Sequence, residues 1–303
     1  MALERIIVVL GLALACFAQK SIVYLGLPIE FIEQRINLAP QKQAERLAAL
    51  RTMFQADGCR PQQIAEQTVP GQHFSNLVCN LPGKEARTIV IGARSGYKDR
   101  SSAGIVQWSA LAMLSFLVSQ ESSVAHNVTY VFIAFTGNAE QGSSWYVKQL
   151  SEPQRHAIRA MIDLDSIGRT LPACGVSRKD GDLCDLLLVA AQTLQMPYDV
   201  RMPGPIGGHR NGTNGVRHPI KVADSASANA IPFTRAQIPA ITITSLSHEM
   251  LPNLDPLTYQ PTTVERTIFD VNVYRDTYRL LCVYLGYLDR QRHEDPVSQP
   301  SKP

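Results

Sequence analysis

The chain predicts an α/β fold: a single domain with a mostly parallel central sheet covered by helices on both faces. Three observations carry this. Four short apolar runs, residues 89–93, 128–135, 158–164 and 238–244, have the length and continuity of strands buried on both sides. Helical or polar segments separate them, and strands alternating with helices imply a parallel sheet. At 303 residues with 45% hydrophobic and 18% charged residues, and with no internal repeat, the sequence suits one sizeable core.

The elements follow in order. Residues 1–18 read as a secretory signal: one weakly charged step, an apolar run from Ile6 to Ala18, and small residues offering cleavage after Ala15 or Ala18. The run falls short of the ~20 apolar residues that span a bilayer. A lipid on Cys16 instead of its removal stays open. The peptidase-sized domain is then 19–290, followed by a polar, proline-rich tail, 291–303, with the composition of a disordered segment.

Ala44, Leu47, Leu50 and Phe54 recur at three- and four-residue spacing, which predicts an amphipathic helix over 40–56. Cys59 and Cys79 flank a segment expected to double back as a hairpin. In an oxidising compartment they form one disulfide, and Cys174 with Cys184, closing a short loop, form the other. The strand at 89–93 leads through a polar loop into a helix over 103–117. Residues 203–215, with five glycines, read as a flap or surface loop; they follow no clear strand and lack the lysine pattern of a phosphate cradle. Val271, Leu281, Leu285 and Leu288 mark a C-terminal helix that buries Cys282 as an inert thiol. Asn127 and Asn211 begin sequons that matter only in a eukaryotic secretory pathway.

The formal charge of +3 is small and the basic residues are scattered, so a nucleic-acid partner is excluded. Ligands of such sheets sit at the carboxyl ends of the strands, so the loops after Ala93, Phe135 and Leu164 should converge on one cleft. Gly92-Ala93-Arg94 ends the first strand, and Asp99-Arg100-Ser101-Ser102-Ala103 follows. The second strand runs into Phe135-Thr136-Gly137-Asn138-Ala139-Glu140-Gln141-Gly142-Ser143. The third ends Asp163-Leu164-Asp165-Ser166-Ile167-Gly168. Asn229-Ala230-Ile231-Pro232-Phe233 precedes Ile238-Pro239-Ala240.

These five motifs, in this order from Thr88 to Ala240, resemble the di-zinc aminopeptidases, a family that includes bacterial leucyl aminopeptidases, glutaminyl cyclases and the transferrin-receptor ectodomain. The resemblance implies the fold above and a set of site positions. Where that family has Gly-Ala-His, this chain has Arg94 for the first histidine ligand. The bridging aspartate of Asp-Asn-x-Ser-Gly matches Asp99, or Arg100 if the alignment shifts by one. The Glu-Glu pair of general base and ligand falls on Asn138 and Ala139, or on Ala139 and Glu140; either way the base is gone. Asn-x-Asp-x-x-Gly matches Asp165 as a ligand, and Asp-His-x-x-Phe puts Ala230 at the second histidine.

A di-zinc site needs about four N, O or S ligands per ion and a bridging carboxylate. The resemblance leaves at most Asp99, Glu140 and Asp165, so the expected reading is an exported protein without a cofactor or peptidase activity. The old cleft would then serve binding or scaffolding. Arg94 and Arg100 carry forked donors suited to a carboxylate ligand, a peptide terminus or an acidic protein partner. The plainer role for both arginines is neutralising leftover aspartates. The rival expectation is a divergent but active metallo-aminopeptidase or hydrolase that keeps zinc, with His209, His248 or Asp224 as replacement ligands. Ser143 and Ser144 lack the Gly-x-Ser-x-Gly setting of a serine nucleophile and read as a structural Gly-Ser turn.

Overall fold

The computed structural model describes residues 24–40, 42–96, 103–137, 140–170, 172–176, 181–196, 229–245 and 269–291. Seven strands in these residues form one sheet: β1 (Ile64–Gln67), β2 (Asn76–Leu81), β3 (Thr88–Arg94), β4 (Thr129–Phe135), β5 (Ile158–Asp165), β6 (Ala173–Val176) and β7 (Ala240–Thr244). Their spatial order is β1-β2-β4-β3-β5-β7-β6. The four central strands β4, β3, β5 and β7 are mutually parallel. The β1/β2, β2/β4 and β6/β7 pairings are antiparallel. The sheet is therefore mixed, parallel only at its centre, and the expectation of a mostly parallel sheet holds for that centre alone. Strands β1, β2 and β6 are too short and too polar to stand out as apolar runs.

Eight helices among the described residues pack around the sheet: α1 (Ile29–Asn37), α2 (Gln43–Ala56), α3 (Ala103–Ser123), α4 (Gln141–Gln149), α5 (Glu152–Ala157), α6 (Gly181–Thr193), α7 (Ile231–Arg235) and α8 (Val271–Arg290). Alternation along the strands sorts the two faces. Ile89, Ile91 and Ala93 point into the large core with α1, α2, α3, α6 and α8. Val90, Ile133, Phe135 and Met161 point into a smaller core with α4 and α7. Central strands that bury both faces carry continuous apolar sequence, which is why they were the legible ones. Among the described residues no helix is long and apolar enough to cross a membrane. The expected signal at 1–18, Cys16, and all but the first residue of the tail lie outside the described residues.

The helix expected over 40–56 is α2, and its end shows how the hairpin is launched. Gly58 takes φ +104° just past the C-cap, Cys59 N–H donates to the Phe54 carbonyl at 2.8 Å, and a Cβ on Gly58 would run into Ser122. Glycine is the residue that adopts this conformation without strain. The chain then forms the β1–β2 hairpin, and Cys59 bonds Cys79 across it with the Cα atoms 6.3 Å apart. Cys174 and Cys184 are also joined. That second bridge ties strand β6 to helix α6; the segment expected as a plain loop ends in a 13-residue helix. Cys282 is a buried free thiol on α8, and burial pushes its pKa up.

Asn127 is occupied. Its Nδ2 donates to Asp289 Oδ2 at 3.1 Å and its N–H to Asp289 Oδ1 at 2.6 Å, so this sequon works as a clasp between the start of β4 and the end of α8. The Asn211 sequon lies outside the described residues.

Candidate functional site

The registers of the parallel strands bring four ends to one level. Arg94 pairs with Phe135, Ala93 with Leu164, and Asp165 with Thr244. Strand β3 leads through α3 on one face to β4, and β4 leads through α4 on the other face to β5, so the crossovers diverge above β3. A crevice forms at the carboxyl end where crossovers diverge in this way.

Three side chains brace the crevice from below. Buried Asn76 accepts the Thr136 N–H at 2.9 Å and donates to the Gly142 carbonyl at 3.0 Å, fixing the end of β4 against α4. Gln43 reaches from α2 to Thr136 Oγ1 at 3.1 Å and Ser95 Oγ at 3.4 Å. Ser95 binds the Phe135 carbonyl through both its N–H, at 2.8 Å, and its hydroxyl, at 2.9 Å. Ser143 and Ser144 lie in the first turns of α4, a helix rather than the isolated turn expected, with Ser143 Oγ donating to the Glu140 carbonyl.

Asp165 closes β5 half-buried, and the next residue, Ser166, takes φ +54° and donates its hydroxyl to Asp165 Oδ1 at 3.1 Å. Gly168 follows at φ +94°, where a Cβ would press on Phe269 and Tyr274, and its N–H is held by Ser245 Oγ. This turn carries Arg169 back beside Asp165. Burial raises the Asp165 pKa above the ordinary carboxylate range, opposed first by the Arg94 guanidinium, then by the Ser166 hydroxyl and Arg169. Burial pushes Arg169 down to about 10, with Asp165 working against the fall. The Arg169 Nε is buried and meets no hydrogen-bond acceptor.

Asp163 and Asn229 form a second pair, 1% and 2% exposed, with Asn229 Nδ2 donating to Asp163 Oδ1 at 3.0 Å. Burial raises the Asp163 pKa well above its ordinary value, with Asp165 adding to the rise and Asn229 and Arg94 opposing it. Asn229 Oδ1 is left without a donor. Acid and amide have traded places relative to the motifs: Asp163 stands where the resemblance has Asn, and Asn229 where it has Asp. The trade keeps a donor and an acceptor facing each other. Both departures were visible in the sequence, and only the fold couples them.

Glu140 is the N-cap of α4, and both its carboxylate oxygens accept from Arg235 Nη1 at 2.9 Å. Ala230 lies just before α7, 6% exposed, and its side chain holds no donor atom. Of the positions singled out by sequence, the structure thus gathers Arg94, Glu140, Asp165 and Ala230 around the ends of the sheet. Asp99, Arg100, Asn138 and Ala139 lie outside the described residues, as do His209, His248, Asp224 and the glycine-rich segment 203–215. Arg169 and Arg235 escaped the sequence reading, because neither sits inside a motif and an isolated arginine signals nothing.

Among the described residues the donor set falls short of a zinc site. Structural and catalytic zinc sites use three or four His, Cys or carboxylate ligands. Of the described carboxylates, Glu140 is bound by Arg235 and Asp165 faces Arg94 and Arg169, and the positions that the resemblance matches to histidines hold Arg94 and Ala230. Among the described residues no group of three or more His, Cys, Asp or Glu could hold an ion.

No protein-family profile and no curated protein matches the chain. Solved structures do. A glutaminyl cyclase of an Acidobacteriales bacterium is 13% identical, with 90% of this chain and 97% of that one covered and a TM-score of 0.66. The LapA aminopeptidase of Legionella pneumophila is 14% identical over 91% and 79%, with a TM-score of 0.59. BSAP, a zinc aminopeptidase of Bacillus subtilis, is 16% identical over 71% of this chain, with a TM-score of 0.54. The chain spans 50% of BSAP's length. The fold of this chain is the one shared by these aminopeptidases and glutaminyl cyclases.

Proposed function

We propose that this is an exported protein that keeps the zinc-aminopeptidase fold without its metal or peptidase activity, and that uses the crevice to bind a ligand through a carboxylate. The observation that carries this is the set of guanidinium groups standing at or beside the matched ligand positions: Arg94 and Arg169 at Asp165, Arg235 at Glu140. Among the described residues Arg94 and Arg169 both act on Asp165, and two guanidiniums at one carboxylate attract a further anion. A forked guanidinium binds a carboxylate through two parallel hydrogen bonds. The unmet Arg169 Nε and Asn229 Oδ1 offer one donor and one acceptor, which suits a group bearing both, such as the terminus of a peptide. Export is supported by two disulfides, one of them between cysteines with no exposure.

The test is titration of the mature protein with short peptides that end in a free carboxylate or an amide, alongside metal analysis and an aminoacyl reporter assay. The free-acid peptides are expected to bind at least about tenfold more tightly, a difference of about 1.4 kcal/mol, and Arg94→Ala should remove the preference. One or two zinc ions per chain with chelator-sensitive cleavage would overturn this in favour of a divergent metallo-aminopeptidase.

A further inference from the structure

A cavity of about 440 Å³ opens at the other end of the sheet, where β5 and β7 begin. Arg155, His156 and Arg159 line it with Gln237 and Pro239, and among the described residues Glu152 contributes the one acidic side chain. We propose that this cavity is a second binding site, for a compact oxyanion of two or more charges, of the phosphate or polycarboxylate class.

Three observations support it. The size falls within the range of small-molecule sites, roughly 300 to 1,000 Å³. The lining is rich in donors: among the described residues Arg155 enters no ion pair, and His156 stands beside it with none either. Planar guanidiniums match the oxygens of phosphates and carboxylates.

The third observation is Gln237. It takes φ +61° just past α7, where its N–H donates to the Thr234 carbonyl at 3.0 Å and Ile238 N–H to the Phe233 carbonyl at 2.9 Å. That position favours glycine. Here it holds a residue whose exposed side chain lines the cavity and can donate to an anion. Both walls are rigid. Ser151 and Gln154 cap α5 reciprocally, and the Pro239 carbonyl accepts the Met161 N–H at 2.8 Å.

The site is separate from the crevice but joined to it by α7, which starts beside Asn229 and Ala230, carries Arg235 to Glu140, and is followed by Gln237. The experiment is calorimetric titration of the mature protein with inorganic phosphate and, separately, with citrate, at fixed ionic strength. Saturable binding of one or both is expected; phosphate alone identifies a phosphate site and citrate alone a polycarboxylate site. Arg155→Ala with His156→Ala should weaken binding at least tenfold. Gln237→Gly should weaken it while the melting temperature holds or rises, which a purely structural glutamine would not do. Arg94→Ala should leave it unchanged, so the outcome is independent of the carboxylate reading of the crevice. Dissociation constants above about 10 mM for both anions, or loss of binding in Arg94→Ala, would overturn the proposal.

Discussion

Two buried arginine–carboxylate clusters of this chain have opposite surroundings. Arg35, on α1, is bound by Asp57 through both nitrogens at 2.7 Å, donates to Ser115 Oγ, and lies between the rings of Phe31 and Phe116 at 4.4 and 4.5 Å. Every face of that guanidinium is used, and α1, α2 and α3 are tied together by it. At the crevice, Arg94 and Arg169 work on Asp165 across a half-open space, a buried nitrogen and a buried amide oxygen go unmet, and the carboxylates there are raised by burial. A completed cluster fixes structure. An incomplete one at the carboxyl ends of parallel strands leaves polar atoms unmet, and that is the basis of the binding role we propose.

The strongest way to break this contrast is at the completed cluster. Arg35→Ala leaves Asp57, whose side chain is 7% exposed, without its cation, and removing one partner of such a pair typically costs about 3–5 kcal/mol. Urea denaturation is expected to show that loss with the slope unchanged. Arg94→Ala should cost clearly less, because its surroundings are already half-open. Equal losses at the two sites would remove the distinction. Next in size is the bridge beside Asp57: replacing Cys59 and Cys79 with alanine should cost about 2–4 kcal/mol by freeing the unfolded chain, and reduction of the wild type should reproduce the loss.

The same contrast explains what was readable in advance. Ile89 to Ala93 and 128–135 announced the sheet because strands buried on both faces must be apolar throughout. The half-buried edges β1 and β6 carry no such run; α1 was missed because its short amphipathic pattern is diluted by polar residues, and α6 because its apolar run from Leu186 to Ala191 shows no helical spacing. At the site, positions inside motifs such as Arg94, Asp165 and Ala230 could be lined up by order and spacing. Arg235 could not, because its role depends on α7 lying beside the start of α4, a tertiary fact. Arg35 was equally silent: its partner Asp57 lies 22 residues away, and the pairing exists only once α1 and α2 both pack on α3.

Glu121 sharpens the contrast, since it is a buried carboxylate on the scaffold side that enters no ion pair among the described residues. Burial, with Asp289 adding to it, pushes its pKa up to about 8. The folded form therefore holds a proton that the unfolded form releases near the ordinary value of about 4.3. Its contribution to stability is full below that ordinary value and is lost as pH rises toward 8, at up to about 1.4 kcal/mol per pH unit. Glu121→Gln should flatten that decline and be the more stable protein at pH 8. Thermal melts of both proteins from pH 5 to 9 provide the check, and parallel curves would mean that Glu121 ionises normally in the fold.

The smallest expected effect lies at Arg235. Its ion pair with Glu140 is exposed, at 67% and 34% of the two side chains, and pairs of that kind contribute about 0–1 kcal/mol. Arg235→Ala should thus barely move the stability, in contrast with Arg35→Ala, although both break a bidentate or doubly bonded contact. Its consequence is chemical: Glu140 is released and becomes free to take a cation. If the pair only decorates the surface, zinc affinity stays negligible in the variant, because Arg94 and Ala230 still deny the ion its imidazoles. If Arg235 is what keeps a metal out, the variant should bind zinc with a rise in melting temperature that grows with metal concentration. We expect the former, and a concentration-dependent rise would place the block at Glu140 rather than at Arg94.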